Sequence, residues 1–240
     1  MKIPSVVFSL FLAAQIASAQ NAPDDAVNTL VPWLFKQDRE LQNIPFSEVL
    51  EAATGKKIFP FDPKDADDQR VVAGIGAVMD RVLAQMNADE KIKTIRRINE
   101  VSSHFENVME EKLNAWPGFS CHFPLTKSGR ILRSGYPDLR LVDKKTGRIF
   151  YLDPKLYERG SRESSFRTFY FEPRQETNKV NDDAHHFIVG IEHDRDEGGW
   201  KFLRWELIDL AHFRVHLKAE FEGSNRDMYR PEAVVGSGPK

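Results

Sequence analysis

The chain is 240 residues long, 41% apolar and 29% charged, with a formal net charge of −2; that suits one sizeable globular core, alone or with a helical extension. It excludes a disordered polyelectrolyte and a protein drawn to nucleic acid by bulk basicity alone. The single cysteine, Cys121, excludes an internal disulfide and reads as a small buried residue.

Residues 1–19 have the form of an export leader. Lys2 supplies the positive start, Val6–Ala14 the short apolar stretch, and Ala17-Ser18-Ala19 a small-residue cleavage site before Gln20. The apolar run is too short for a comfortable membrane span. The expected product is exported, periplasmic or extracellular, with no membrane attachment after cleavage. Residues 20–88 are expected to form an N-terminal helical region. It contains amphipathic stretches at 30–41 and 46–53, the second stopped by Gly55, and a helix capped by acids between Asp65 and Asp68 that runs to about Met86.

An α+β core is expected over residues 89–222, followed by a polar tail at 223–240. Its first element is a long helix from about Asp89 to Asn114, ended by Trp116-Pro117-Gly118. Ile95, Ile98, Phe105, Val108 and Met109 fall on one side of that helix, and Glu106 sits at the border of the stripe. A strand at 119–125 follows, and further strands are expected at 166–171, 187–192 and 200–208.

Between them lies Ser134–Tyr157, in which Leu139–Val142 and Ile149–Leu152 flank the turn Lys144-Lys145-Thr146-Gly147 and predict a β-hairpin. With Asp143 opposite Arg148, Asp138 falls opposite Asp153, and strand alternation puts Lys155 on the same face as Asp153. Leu139, Leu141, Phe150 and Leu152 occupy the other face. Two facing carboxylates repel and destabilise a bare hairpin. A bound cation would remove that penalty, and a neighbouring lysine would reduce it. Charge gathers here too: residues 127–180 hold 13 basic and 7 acidic residues.

A helix carrying a glutamate, a strand, a strand beginning Pro137-Asp138 and a strand ending Asp153-Pro154-Lys155 resemble the PD-(D/E)XK restriction-endonuclease-like superfamily. The resemblance covers roughly Asp89–Tyr157. It implies a mixed β-sheet core of restriction-endonuclease type and a metal-dependent nuclease acting on DNA in preference to RNA. It also implies a Mg²⁺ or Mn²⁺ site formed by Asp138, Asp153 and Glu106, with Lys155 assisting the attacking water. Hard carboxylate oxygens suit Mg²⁺, which keeps several waters. Pro154 departs from the family pattern, because the residue between the acid and the lysine is usually apolar with a backbone N–H. It either marks a bulge or begins a turn.

Arg130, Arg133, Arg140, Arg159, Arg162 and Arg167 flank the motif and suit a phosphate-rich substrate. The competing reading is a non-catalytic exported binding module that presents the same hairpin to an anionic partner. A third, a zinc-dependent hydrolase, needs His185 or His186 to meet His193 in space. Adjacent histidines in a strand point to opposite faces, which disfavours it.

Overall fold

The computed structural model describes residues 24–166 and 168–239. The leader-like residues 1–19, and Arg167, lie outside them. The described residues fall into two compact units: one comprises residues 24–42 together with 216–239, and the other runs from Asn43 to Val215. In the first, α1 (Asp24–Glu40) is joined by the C-terminal segment, where Leu217 N donates to Leu41 O and Ala219 N to Asp38 Oδ1, both at 2.9 Å. The tail at 223–240 carries a one-turn helix, Asn225–Met228, closed by a Ser224–Asp227 capping box. Among the described residues no helix is long and apolar enough to cross a membrane.

The second unit is α+β. In chain order it holds β1 (Ile44–Pro45), α2 (Phe46–Thr54), β2 (Ile58–Phe59), α3 (Ala66–Ala88), α4 (Glu90–Thr94), α5 (Ile98–Ala115), β3 (Phe119–His122), β4 (Leu139–Asp143), β5 (Ile149–Glu158), β6 (Ala184–Asp196), β7 (Gly199–Asp209) and β8 (Arg214–Val215). The six-stranded sheet has the order β2-β6-β5-β4-β3, with β7 also paired to β6. Pairing is parallel for β5–β6 and β2–β6 and antiparallel elsewhere, so the sheet is mixed.

Strand alternation gives the sheet two buried faces. On one, Leu139, Leu141, Phe150, Leu152, Phe187 and Val189 pack with α3 and α5 through Val71, Ile75, Phe105 and Met109. Each such fully buried large side chain contributes about 1.5–3 kcal/mol. Helix α3 therefore shares its core with α5 and the sheet. Cys121 is buried in the same cluster. On the other face Tyr151 packs with Phe46, Leu50, Tyr136 and Val180, and Phe169, Phe171 and Phe213 close the edge.

Three elements differ from the sequence reading. The long helix expected from Asp89 is broken between α4 and α5. The Trp200 indole takes the Ile95 carbonyl at 2.7 Å and Arg195 takes that of Arg96 at 2.8 Å, removing both from a helical ladder. The β6–β7 turn also presses on α4: a Cβ on Gly199, at φ 101°, would lie 2.5 Å from the Lys93 carbonyl. The described residues of the aromatic stretch expected as a strand, Phe166 and 168–171, form none. Its Phe169 and Phe171 rings stand edge-on to Phe46 at 5.1 and 5.6 Å, so their bulk caps the second core. Strand β3 ends at His122, and Leu125 makes only an isolated bridge to Ile131.

The hairpin mouth is locked by charge. Asp143 is fully buried and accepts from both Arg70 guanidinium nitrogens, at 3.1 and 2.6 Å, and from Thr146 Oγ1 at 2.5 Å. Arg148, across the mouth, donates to Asp68 and Asp65 at 2.6 and 2.7 Å, and Asp65 caps α3 through the Asp67 and Asp68 amides. Asp143→Ala should cost about 2–3 kcal/mol, somewhat under the usual range for halving a buried ion pair because the released Arg70 can rehydrate. The urea midpoint should fall at an unchanged m-value; a shift worth under ~0.5 kcal/mol would show that the turn does not need this lock.

Candidate active site

The observed hairpin register pairs Leu139 with Leu152, Arg140 with Tyr151, Leu141 with Phe150 and Val142 with Ile149. One step beyond Leu139 stands Asp138, next to Asp153 on the same face. Pairing with β4 stops there, while β5 continues through Pro154 to Glu158 against β6. The Asp143 amide donates to the Arg148 carbonyl at 2.9 Å, which makes that pair a bonded one. Bonded and non-bonded pairs alternate along an antiparallel ladder, so the backbone nitrogen of Pro154 points to the β4 side, opposite Pro137. Neither proline has an N–H to lose. The β5–β6 ladder uses the alternate residues and is intact, so Pro154 begins no turn.

Asp138 and Asp153 are drawn together with Lys155. Lys155 Nζ lies 2.5 Å from Asp153 Oδ2 and 3.9 Å from Asp138 Oδ2. The side chain of Asp153 is 1% exposed and that of Asp138 is 11% exposed. Asp153 Oδ2 has this ion pair but no hydrogen bond of good angle. The Asp138 carboxyl is pushed up to about 8, first by burial and then by the negative charge of Asp153, with Lys155 pulling the other way. For Lys155, burial lowers the affinity for its proton, and the Asp153 and Asp138 charges more than reverse that.

Asp138 is placed by the residues before it. The Tyr136 hydroxyl is 2.6 Å from His186 Nδ1, and the Tyr136 ring packs against Phe46 and Phe169. Opposite, Arg140 and the Tyr151 hydroxyl both bond Asp182 Oδ2 at 2.8 Å, which ties the segment before β6 to this face.

Glu106 projects from α5 toward the same site, and its negative charge reaches Asp138. Its Oε2 accepts from Arg133 Nη2 at 2.7 Å, while Arg133 Nη1 donates to Asn107 Oδ1 at 2.9 Å. Among the described residues no three His, Cys, Asp or Glu side chains form a ready-made metal cage. The donor chemistry nevertheless fits a divalent cation. A cation that displaces the proton of Asp138 would meet two buried carboxylates beside one ammonium, and all the oxygens are hard ligands of the kind Mg²⁺ or Mn²⁺ takes.

One site residue carries no sequence signal. Lys179 is 1% exposed, its Nζ donates to the Leu132 carbonyl at 3.2 Å, and the charges of Asp138, Asp153, Glu106 and Lys155 all act on it. Burial lowers its proton affinity, and the three acids partly restore it. It sits in an ordinary polar stretch and becomes visible only when the loop closes over the sheet. The histidines do not converge. His185 lies 3.4 Å from Asp68, His186 bonds Tyr136, and His193 stands edge-on to Trp200 at 5.2 Å. The zinc reading therefore has no site among the described residues.

A family model, the type II restriction enzyme MjaV family, matches residues 39–232. The chain belongs to this family. It is also 27% identical over 206 residues to the type II restriction enzyme MjaV of Methanocaldococcus jannaschii, covering 81% of this chain and 89% of that protein. Restriction enzymes of this kind are PD-(D/E)XK-like nucleases, in line with the mixed α+β sheet. The span matched to the MjaV family contains Glu106, Asp138, Asp153, Lys155 and Lys179.

His186 gives the Tyr136 anchor a pH signature. Burial, with a smaller push from His185, holds its pKa down at about 3, whereas the unfolded imidazole titrates near ~6.5. Between those values the unfolded chain binds more protons, so stability falls as pH drops, by up to about 1.4 kcal/mol per pH unit. Denaturation midpoints between about pH 6 and 4.5 should fall more steeply for the wild type than for His186→Phe. Equal slopes would mean that the folded protein takes up this proton.

Proposed function

We propose that this chain is an exported, Mg²⁺- or Mn²⁺-dependent endonuclease that hydrolyses phosphodiester bonds in DNA. Asp138 and Asp153 are its metal-binding acids, Glu106 is a third, and Lys155 assists the nucleophile. Membership of a restriction-enzyme family makes the chain a DNA endonuclease by class. The observation that carries the site assignment is the burial of Asp138 and Asp153 side by side around the Lys155 ammonium. A fold bears such a cost poorly unless the charges are used, because each buried ion loses several kcal/mol of hydration.

A divalent cation bound there would lower the pKa of a water and offset the charge that develops on the phosphate. The protein's own contribution is positional. Asp138 and Asp153 hold oxygens at the open end of the β4–β5 ladder, where β4 leaves the backbone of β5 uncovered. Lys155, whose side chain is 31% exposed, can donate to the attacking water or to a non-bridging phosphate oxygen. Attack on phosphorus forms one P–O bond as the bond to the leaving sugar oxygen breaks. A fixed ammonium beside the phosphate stabilises the charge that accumulates between those events.

The test is cleavage of plasmid DNA by the purified chain with Mg²⁺, Mn²⁺ or EDTA. Cleavage should require the metal, and Asp153→Ala and Lys155→Ala should each slow it by about 10²-fold or more while remaining folded. Variants as active as the wild type would remove the assigned site. DNA binding with no cleavage in any metal would favour the binding-module reading.

The pattern of residues 1–19 supports delivery across the cytoplasmic membrane. Cell fractionation of the full-length chain, with N-terminal sequencing, should find a product that begins at Gln20 outside the cytoplasm. A cytoplasmic protein that retains residues 1–19 would overturn export and leave the chemistry untouched.

A further inference from the structure

Glu106 lies within electrostatic reach of Asp138, yet its carboxylate is held by an arginine. The ion pair with Arg133 at 2.7 Å uses Oε2, and the guanidinium is braced on both sides of that contact. Nη1 bonds Asn107 Oδ1 at 2.9 Å, one residue along α5, and the guanidinium carbon lies 3.8 Å from the centroid of the Phe123 ring. The Glu106 side chain is 13% exposed and that of Arg133 is 41% exposed, so one member of the pair faces inward and the other faces solvent. Arg133 sits five positions before Asp138, on the segment that projects Ile131, 62% exposed, from the body of the unit.

A guanidinium on a carboxylate opposes a metal on the same carboxylate in two ways. It occupies an oxygen the metal would use, and it adds a positive charge beside the metal's position. The same guanidinium has a planar fork that fits a phosphate as well as it fits a carboxylate. An incoming nucleic-acid backbone therefore offers Arg133 an alternative anion on its exposed side.

From this we propose that Arg133 is a phosphate-contacting residue that exchanges Glu106 for the DNA backbone, so that the third metal-binding acid becomes available only when substrate is bound. The exchange rests on the site assignment above. Its step is a swap of ion pairs with no covalent change: the Arg133–Glu106 pair opens, an Arg133–phosphate pair forms, and the Glu106 carboxylate turns to the Asp138–Asp153 cation site. By linkage, whatever DNA gains from releasing Glu106 appears as tighter metal binding, and the metal tightens DNA by the same factor.

Two binding measurements on the whole protein test the exchange, and they should move in opposite directions. The first is Mn²⁺ affinity without DNA, read by electron paramagnetic resonance. Arg133→Met should tighten Mn²⁺ by about 5-fold or more, the lower bound of ordinary site-to-site coupling. In a Glu106→Gln background the same substitution should tighten Mn²⁺ by clearly less, because only the through-space repulsion of the guanidinium is then removed. The second is binding of a 30-base-pair duplex in EDTA across a range of salt. Arg133→Met should weaken it and reduce the slope of log affinity against log salt by about 0.9, the value for one phosphate contact. A merely damaged protein would weaken both. Asn107→Ala, which removes one brace and leaves the charge, should shift Mn²⁺ binding in the same direction by less. Unchanged Mn²⁺ affinity in Arg133→Met, in a wild type that binds Mn²⁺ and cleaves DNA, would overturn this proposal alone. A wild type that binds neither Mn²⁺ nor DNA would overturn the nuclease site and the exchange together.

Discussion

A strand pair that slips by one residue turns every side chain to the opposite face, and the β4–β5 hairpin carries hydrophobic core on one face and titratable chemistry on the other. Leu139, Leu141, Phe150 and Leu152 must meet α3 and α5, or Asp138, Asp153 and Lys155 would be driven into that core. The lock lies at the far end of the hairpin, at Asp143. Arg70 reaches it from α3, and Arg148 returns the contact to the α3 N-terminus. A helix thus fixes the turn, the turn fixes the register, and the register fixes which carboxylates are neighbours several residues away.

The same arrangement explains why the acids stand where they do. A buried carboxylate needs an ion or donors around it, and a continuous ladder offers no space for either. Strand β4 begins only at Leu139, so the edge of β5 beside Asp153 and Pro154 is free of a paired strand. Pro137 and Pro154 flank that gap, and neither adds a backbone N–H that would need a partner there. Lys155 pairs with Asp153, Arg133 with Glu106, Lys179 adds a further cation from the loop, and burial keeps the proton on Asp138. What the fold holds together is a set of hard carboxylate oxygens in a nearly dry setting, where a divalent cation could replace a proton.

The hairpin, its register and the convergence of Asp138, Asp153 and Lys155 were legible in the sequence because they depend on a short turn and a period of two, both local properties. The helices α2 and α3 were legible for the same reason, through Gly55 and the acidic cap at Asp65. The break between α4 and α5 was not, since it is made by Trp200 and Arg195, a hundred residues away in the chain. Phe169 and Phe171 misled because aromatic bulk is common to strands and to loops that cap a core. Lys179 was hidden altogether. Its meaning comes from the loop of Asn178 and Asn181, which closes on Val180, Leu125 and Tyr151 and carries the lysine over the sheet. The place of Glu106 at the border of its helical stripe was readable, but its partner Arg133 was not.

The arginines around the motif are mostly committed already. Arg140 holds Asp182, Arg162 holds Glu206, Arg159 lies near Asp194, and Arg133 holds Glu106. A surface of this kind does not attract a polyanion as a field of bare cations would, which agrees with a net charge of −2. Where a phosphate displaces the carboxylate at one of these four, part of the Coulombic gain is spent on parting an existing pair. Loosely placed anions gain little from such a surface. A backbone that meets several arginines in register gains at every exchange and frees carboxylates as it does so. If the exchange proposed for Arg133 is repeated at these arginines, the protein's own acids would compete with every phosphate that is out of place and so favour a properly seated duplex.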